Sequence, residues 1–142
     1  MDNTNTKPAT AEIKYLGSLR TQATHLRSGT EIITDAPVDN NGKGEAFSPT
    51  DLVATALVSC MITVMGIYAN KNDIQMGEID SSVEKIMAWG PRRISQLNLE
   101  LIFLNHQLNE THKALLQDIA MNCPVAKSIH PDISVNVKFV YN

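Results

Sequence analysis

The stretch Ser48-Pro49-Thr50-Asp51-Leu52-Val53-Ala54-Thr55-Ala56-Leu57-Val58-Ser59-Cys60-Met61-Ile62-Thr63-Val64-Met65-Gly66-Ile67-Tyr68-Ala69-Asn70 decides the fold. It opens with helix-start chemistry. Ser48 can accept a hydrogen bond from a free first-turn amide, Pro49 presets the helical φ, and Asp51 completes a pattern resembling a capping box. No charged residue occurs from Leu52 to Ala69, and apolar side chains occur all round. That pattern predicts a helix buried on nearly every side. Thr55, Ser59, Thr63 and Gly66 form a row of small or weakly polar residues that would let another helix approach closely. Cys60 sits one residue from this row, about three turns into the helix.

Outward from this helix the chain reads as strands and one further helix. Glu12 to Arg20 alternates as a strand, and Thr21–Leu26 and Thr30–Thr34 continue an antiparallel meander around a Ser28-Gly29 turn. Asp35 to Phe47, with Pro37, Asn40, Asn41, Gly42 and Gly44, is a loop. Ile74–Trp89 and Ile94–Leu104 are strand-like, joined by a Gly90-Pro91-Arg92-Arg93 hairpin turn, and Leu97, Leu99, Leu101 and Phe103 share one face. Asn109 caps a second helix whose apolar positions are Leu115, Leu116, Ile119, Ala120 and Cys123. Pro124 ends it by disfavouring the helical conformation at Cys123. Ile133, Val135, Val137, Phe139 and Tyr141 alternate along a closing strand. The order βββ-α-ββ-α-β is an α+β protein with mainly antiparallel sheet.

The composition of the 142-residue chain suits one domain, 1–142, with residues 1–10 a flexible polar N-terminus. Hydrophobic content of 43% and charged content of 19% fit a soluble globular protein, and a net charge of −3 offers nucleic acid no basic surface. Met1–Thr10 lacks the apolar run of a signal peptide. The central helix is at the lower edge of spanning length, yet its Thr, Ser and Gly residues and its strand neighbours favour a buried helix over a membrane one. Two cysteines without a Cys-x-x-Cys pair make neither a disulfide framework nor a structural zinc site, so the expected location is the cytoplasm.

The two thiols are the candidate chemistry. Cys60 lies too deep for the helix dipole, and apolar burial would raise its pKa, so reactivity there needs a cation from another segment. Arg20, Arg27, Arg92 and Arg93 are the arginines available. Equally, both cysteines can be read as small core residues. His25, His106, His112 and His130 are scattered without ligand spacing, and Asp39–Gly44 matches no phosphate loop. Trp89, Met61, Met65 and Met76 are read as apolar pocket lining or, for the methionines, core filling.

Phe47-Ser48-Pro49-Thr50-Asp51-Leu52 running into Leu57-Val58-Ser59-Cys60, together with Cys123-Pro124-Val125, resembles the OsmC/Ohr family, the osmotically inducible and organic-hydroperoxide-resistance proteins. The resemblance covers nearly the whole chain. It implies an intertwined homodimer, antiparallel sheets wrapped around two central helices, with the site at the subunit interface. It also implies a peroxidase working in the oxidative stress response. Carried over, Cys60 is the peroxidatic thiol that becomes a sulfenic acid, and Cys123 resolves it as a disulfide. Arg27 falls where the family's activating arginine precedes a turn, and would stabilise the thiolate. The implied partners are a second copy of the chain, a hydroperoxide, and a dithiol reductant such as a lipoyl or thioredoxin-like protein, with no metal or organic cofactor, nucleic acid or membrane. Where peroxidase members carry a glutamate after the helix-start proline, this chain has Thr50, and Asp51 follows as a possible supporting carboxylate. That departure keeps a second reading open, a non-catalytic dimeric protein of the same fold binding a small apolar ligand.

Overall fold

The computed structural model describes residues 9–142; the expected flexible N-terminus falls mostly on residues 1–8, which lie outside the described residues. The chain divides into two compact units, one ending at Thr50 and one running from Asp51 to Asn142.

The first unit is a three-stranded antiparallel sheet of β1 (Ala11–Gly17), β2 (Arg20–His25) and β3 (Glu31–Asp35) in that order. Alternation alone reads one strand through to Arg20, but the chain turns at Ser18 and Leu19 instead. Gly17, Ser18 and Leu19 all have positive φ (85°, 54° and 61°), the conformation a two-residue hairpin turn demands. The Tyr15 hydroxyl accepts the Leu19 amide at 3.2 Å and braces this turn. The loop that follows contains a short 3₁₀ turn, Val38–Asn40. The buried residues of this unit are polar, namely Thr34, Asp35 and Ser48, while Ile13, Tyr15 and Ile32 are exposed.

The second unit contains the body of α1 (Pro49–Lys71), β4 (Glu78–Ala88), β5 (Arg93–Leu104), α2 (Glu110–Met121) and β6 (Ser134–Tyr141). The sheet order is β4-β5-β6. β4 and β5 form the expected hairpin, whereas β6 runs parallel to β5 rather than antiparallel. The reason is the connection: the segment between β5 and β6 holds α2, and a crossover of that length returns the chain in the same direction.

Leu97, Leu99, Leu101 and Phe103 of β5 face the core as their alternation predicts. Ile94 joins them across an irregularity in which Ile86 pairs with Gln96 and Met87 with Ile94, so one extra residue of β5 restores the face. Opposite them pack Leu57, Met61 and Met65 of α1, Leu116 and Ala120 of α2, and Cys123. Met61 and Met65 are fully buried and fill core, while Trp89 is 70% exposed with the Arg92 guanidinium over its ring at 4.7 Å.

Two burial expectations change. α1 is not buried all round, because its buried residues Ala54, Leu57, Val58, Met61, Met65 and Ala69 form a single stripe. Val53, Thr55, Ala56, Ser59, Thr63 and Ile67 lie exposed in the chain. Lack of charge says that a face tolerates burial, not that this chain covers it. By length and composition α1 could cross a membrane, yet its buried stripe belongs to the same core as the sheet. Likewise Leu115 is exposed, and α2 buries the narrower row Leu116, Ala120 and, just past the helix end, Cys123.

Candidate active site

α1 and the end of α2 bring the two cysteines together. Cys60 lies beside the buried stripe of α1, half-buried, and packs against the core cluster that contains Cys123. Cys123 follows the C-cap Asn122 and is 1% exposed. Both are free thiols. Burial, first, pushes the Cys123 thiol above its ordinary value of 9.0; hydrogen bonding to Cys60 and the repulsion of a negative charge on Cys60 act in the same direction. The backbone amide of Ala126 opposes this, donating to Cys123 Sγ at 3.4 Å. Two adjacent thiols, one open and one enclosed and held neutral, can exchange two electrons by making and breaking a disulfide.

The helix starts where its sequence predicts. α1 begins at Pro49, which places buried Ser48 at the cap position with its hydroxyl 3.3 Å from that of Thr50. Asp51 forms an ion pair with Lys85 of β4 at 2.8 Å. Nine residues separate Asp51 from Cys60, about 14 Å along the helix and half a turn round it. Lys85 was not singled out by the sequence, although a signal exists. It is the cross-strand partner of fully buried Leu97, so it faces the core side of the sheet beside Val83, where a cation needs a carboxylate.

In the first unit, Arg27 lies exposed in the turn between β2 and β3 and makes no ion pair among the described residues. Arg20, by contrast, is largely covered, its side chain 23% exposed. It is the direct cross-strand partner of fully buried Asp35 and binds it bidentately, Nε to Oδ1 at 2.7 Å and an Nη to Oδ2 at 2.8 Å. Glu45 donates its backbone amide to Asp35 Oδ2 at 3.1 Å and sets its carboxylate 3.7 Å from Arg20. The hydrogen bonds from Arg20 hold the Asp35 carboxyl below its ordinary 3.8, and the same contact raises the Arg20 guanidinium above its ordinary value. The sequence could reveal this pair only once the register of β2 on β3 was known. Among the described residues no group of three His, Cys, Asp or Glu could hold a metal. His112 donates its backbone amide to the Asn109 cap.

A three-stranded sheet and two helices sharing one core, with two free thiols beside each other, define a two-cysteine α+β protein. The sequence profile of OsmC-like proteins matches residues 42–138, and the chain belongs to that family. Its structure superposes on a protein of Psychrobacter arcticus, provisionally described as an osmotic stress induced and detoxification response protein, with a TM-score of 0.89. The two are 50% identical over 94% of this chain and 96% of that one. Two more distant structures share the fold. An organic hydroperoxide resistance protein OsmC of Legionella pneumophila has a TM-score of 0.73 and 18% identity, covering 93% of this chain and 97% of that one. An organic hydroperoxide resistance protein of Bacillus subtilis has a TM-score of 0.63 and 17% identity, covering 92% and 98%. No curated protein matches the chain.

Proposed function

We propose that this protein is a cysteine-based peroxidase of the cytoplasm that reduces organic hydroperoxides. The observation that carries the reading is the contact between a half-open Cys60 and an enclosed Cys123. The Cys60 thiolate attacks the outer oxygen of the peroxide, the O–O bond breaks, and the alkoxide leaves as an alcohol after taking a proton. The Cys60 sulfenic acid then condenses with the Cys123 sulfur, releasing water and forming a disulfide that a dithiol reduces. Arg27, a cation not engaged by any carboxylate among the described residues, is the proposed stabiliser of the Cys60 thiolate. Thr50 and Asp51 support the site by fixing the first turn of α1, Asp51 through Lys85. The uncharged surroundings of α1 favour an alkyl or lipid-like peroxide over a strongly hydrated one.

The working unit is a homodimer in this reading. Two surfaces support it: the uncharged exposed face of α1, and a first sheet whose Ile13, Tyr15 and Ile32 stay in water. A three-stranded sheet gains little stability until such a face is covered.

The test is reductant-dependent consumption of cumene hydroperoxide beside hydrogen peroxide, for the parent and Cys60→Ser. Faster turnover of the organic peroxide, lost in the variant, is expected. A parent inert with lipoyl and other dithiols would favour the ligand-binding reading instead.

A further inference from the structure

We infer that the reducing dithiol attacks the oxidised protein at the Cys60 sulfur, and that the backbone amide of Ala126 receives the departing Cys123 sulfur. The inference rests on the peroxidase reading of the two thiols. A thiolate attacks a disulfide along the S–S axis, from the side away from the leaving sulfur, so access selects the target. Cys123 is 1% exposed, walled in by the core cluster, and offers no such approach. Cys60, half-buried at the edge of the α1 stripe, is the more accessible of the two.

The leaving side is prepared by the chain after Cys123. Residues 124–129 wind into a helical turn, with Lys127 donating its backbone amide to the Cys123 carbonyl at 3.1 Å and Ile129 donating to that of Val125 at 3.1 Å. Pro124 stands at its start and has no N–H, so the next two amides are the free donors of this turn. Cys123 occupies the cap position, with sulfur in place of the usual oxygen. Ala126 N lies 3.4 Å from Sγ. Amides at a helical start stabilise a thiolate. In the reduced protein Cys60 opposes that charge, but once Cys60 is tied in a mixed disulfide it carries neither charge nor thiol proton. Burial then stands against that amide alone.

The step balances. The reductant's thiolate forms an S–S bond to Cys60, the Cys60–Cys123 bond breaks, and its electron pair leaves on Cys123, which takes up a proton. The second thiol of the reductant then attacks the mixed disulfide, releases Cys60 as thiolate and departs as a cyclic disulfide.

The native protein is oxidised in parallel with cumene hydroperoxide and with diamide, which makes disulfides without peroxidase chemistry. Each sample then meets 2-mercaptoethanol for a short time and is quenched in mild acid with N-ethylmaleimide for peptide mapping. The expected product carries mercaptoethanol on Cys60 and maleimide on Cys123, at least tenfold over the reverse. Equal or reversed labelling overturns the inference. If diamide but not peroxide forms the disulfide, the peroxidase reading falls while the position of the adduct still decides this one. Ala126→Pro, which deletes one donating amide, is expected to slow adduct formation severalfold, and an unchanged rate overturns the amide role.

Discussion

Cys123 and Cys60 differ in one property on which their proposed roles rest: Cys60 is half-buried and Cys123 is enclosed. That difference predicts unequal single variants. Cys123→Ser consumes about one equivalent of organic peroxide per chain and then stops, leaving a sulfenic acid that dimedone traps on Cys60. Cys60→Ser consumes peroxide at the background rate. Continued turnover of Cys123→Ser with a dithiol, at the parent rate, would remove Cys123 from the resolving role. Arg20 and Asp35 carry a different kind of prediction. Asp35 is held below its ordinary carboxyl value of 3.8, so its contribution to stability is present above that pH and is lost as the pH falls through the lowered value. Arg20, raised above its ordinary value, stays charged throughout. Urea denaturation at pH 7 and pH 3 should therefore show a larger acid loss in the parent than in Asp35→Asn, and parallel losses would contradict the pairing.

At the level of elements, alternation and capping made most of the second unit legible. β5 announced its core face through Leu97, Leu99, Leu101 and Phe103, and all four are buried. Asn109 announced α2, and its side chain accepts the His112 amide at 2.8 Å. Asn109→Ala should cost about 1 kcal/mol in thermal or urea denaturation. Leu116→Ala should cost about 2–5 kcal/mol, while Leu115→Ala, at an exposed site of the same helix, should cost far less. Equal losses would contradict the orientation of α2. What stayed hidden depended on pairing between segments distant in sequence. The turn at Ser18-Leu19 lacks the usual Asn-Gly signal, so β1 read as too long. The parallel placement of β6, the Lys85–Asp51 pair and the Arg20–Asp35 pair each need a register that local pattern does not contain. The thiol pair was legible as two motif cysteines, but its asymmetry, which depends on Ala126 and on the burial of Cys123, was not.

For the whole molecule, the proposed homodimer would cover apolar surface that the single chain leaves exposed, on one face of α1 and at Ile13, Tyr15 and Ile32 of the first sheet. Sedimentation equilibrium should give twice the chain mass for the parent. Ile67→Glu, which puts a charge on that face, should weaken association by at least tenfold while a monomer keeps its circular dichroism. A parent that sediments as a monomer at micromolar concentration would contradict the dimer. The central claim, peroxide reduction through the two thiols, has a more direct test in intact-protein mass spectrometry of the reduced native chain after one equivalent of cumene hydroperoxide. The account predicts a loss of two hydrogens per chain, located by peptide mapping as a Cys60–Cys123 disulfide and reversed by a dithiol. Two unmodified thiols after excess peroxide would contradict it.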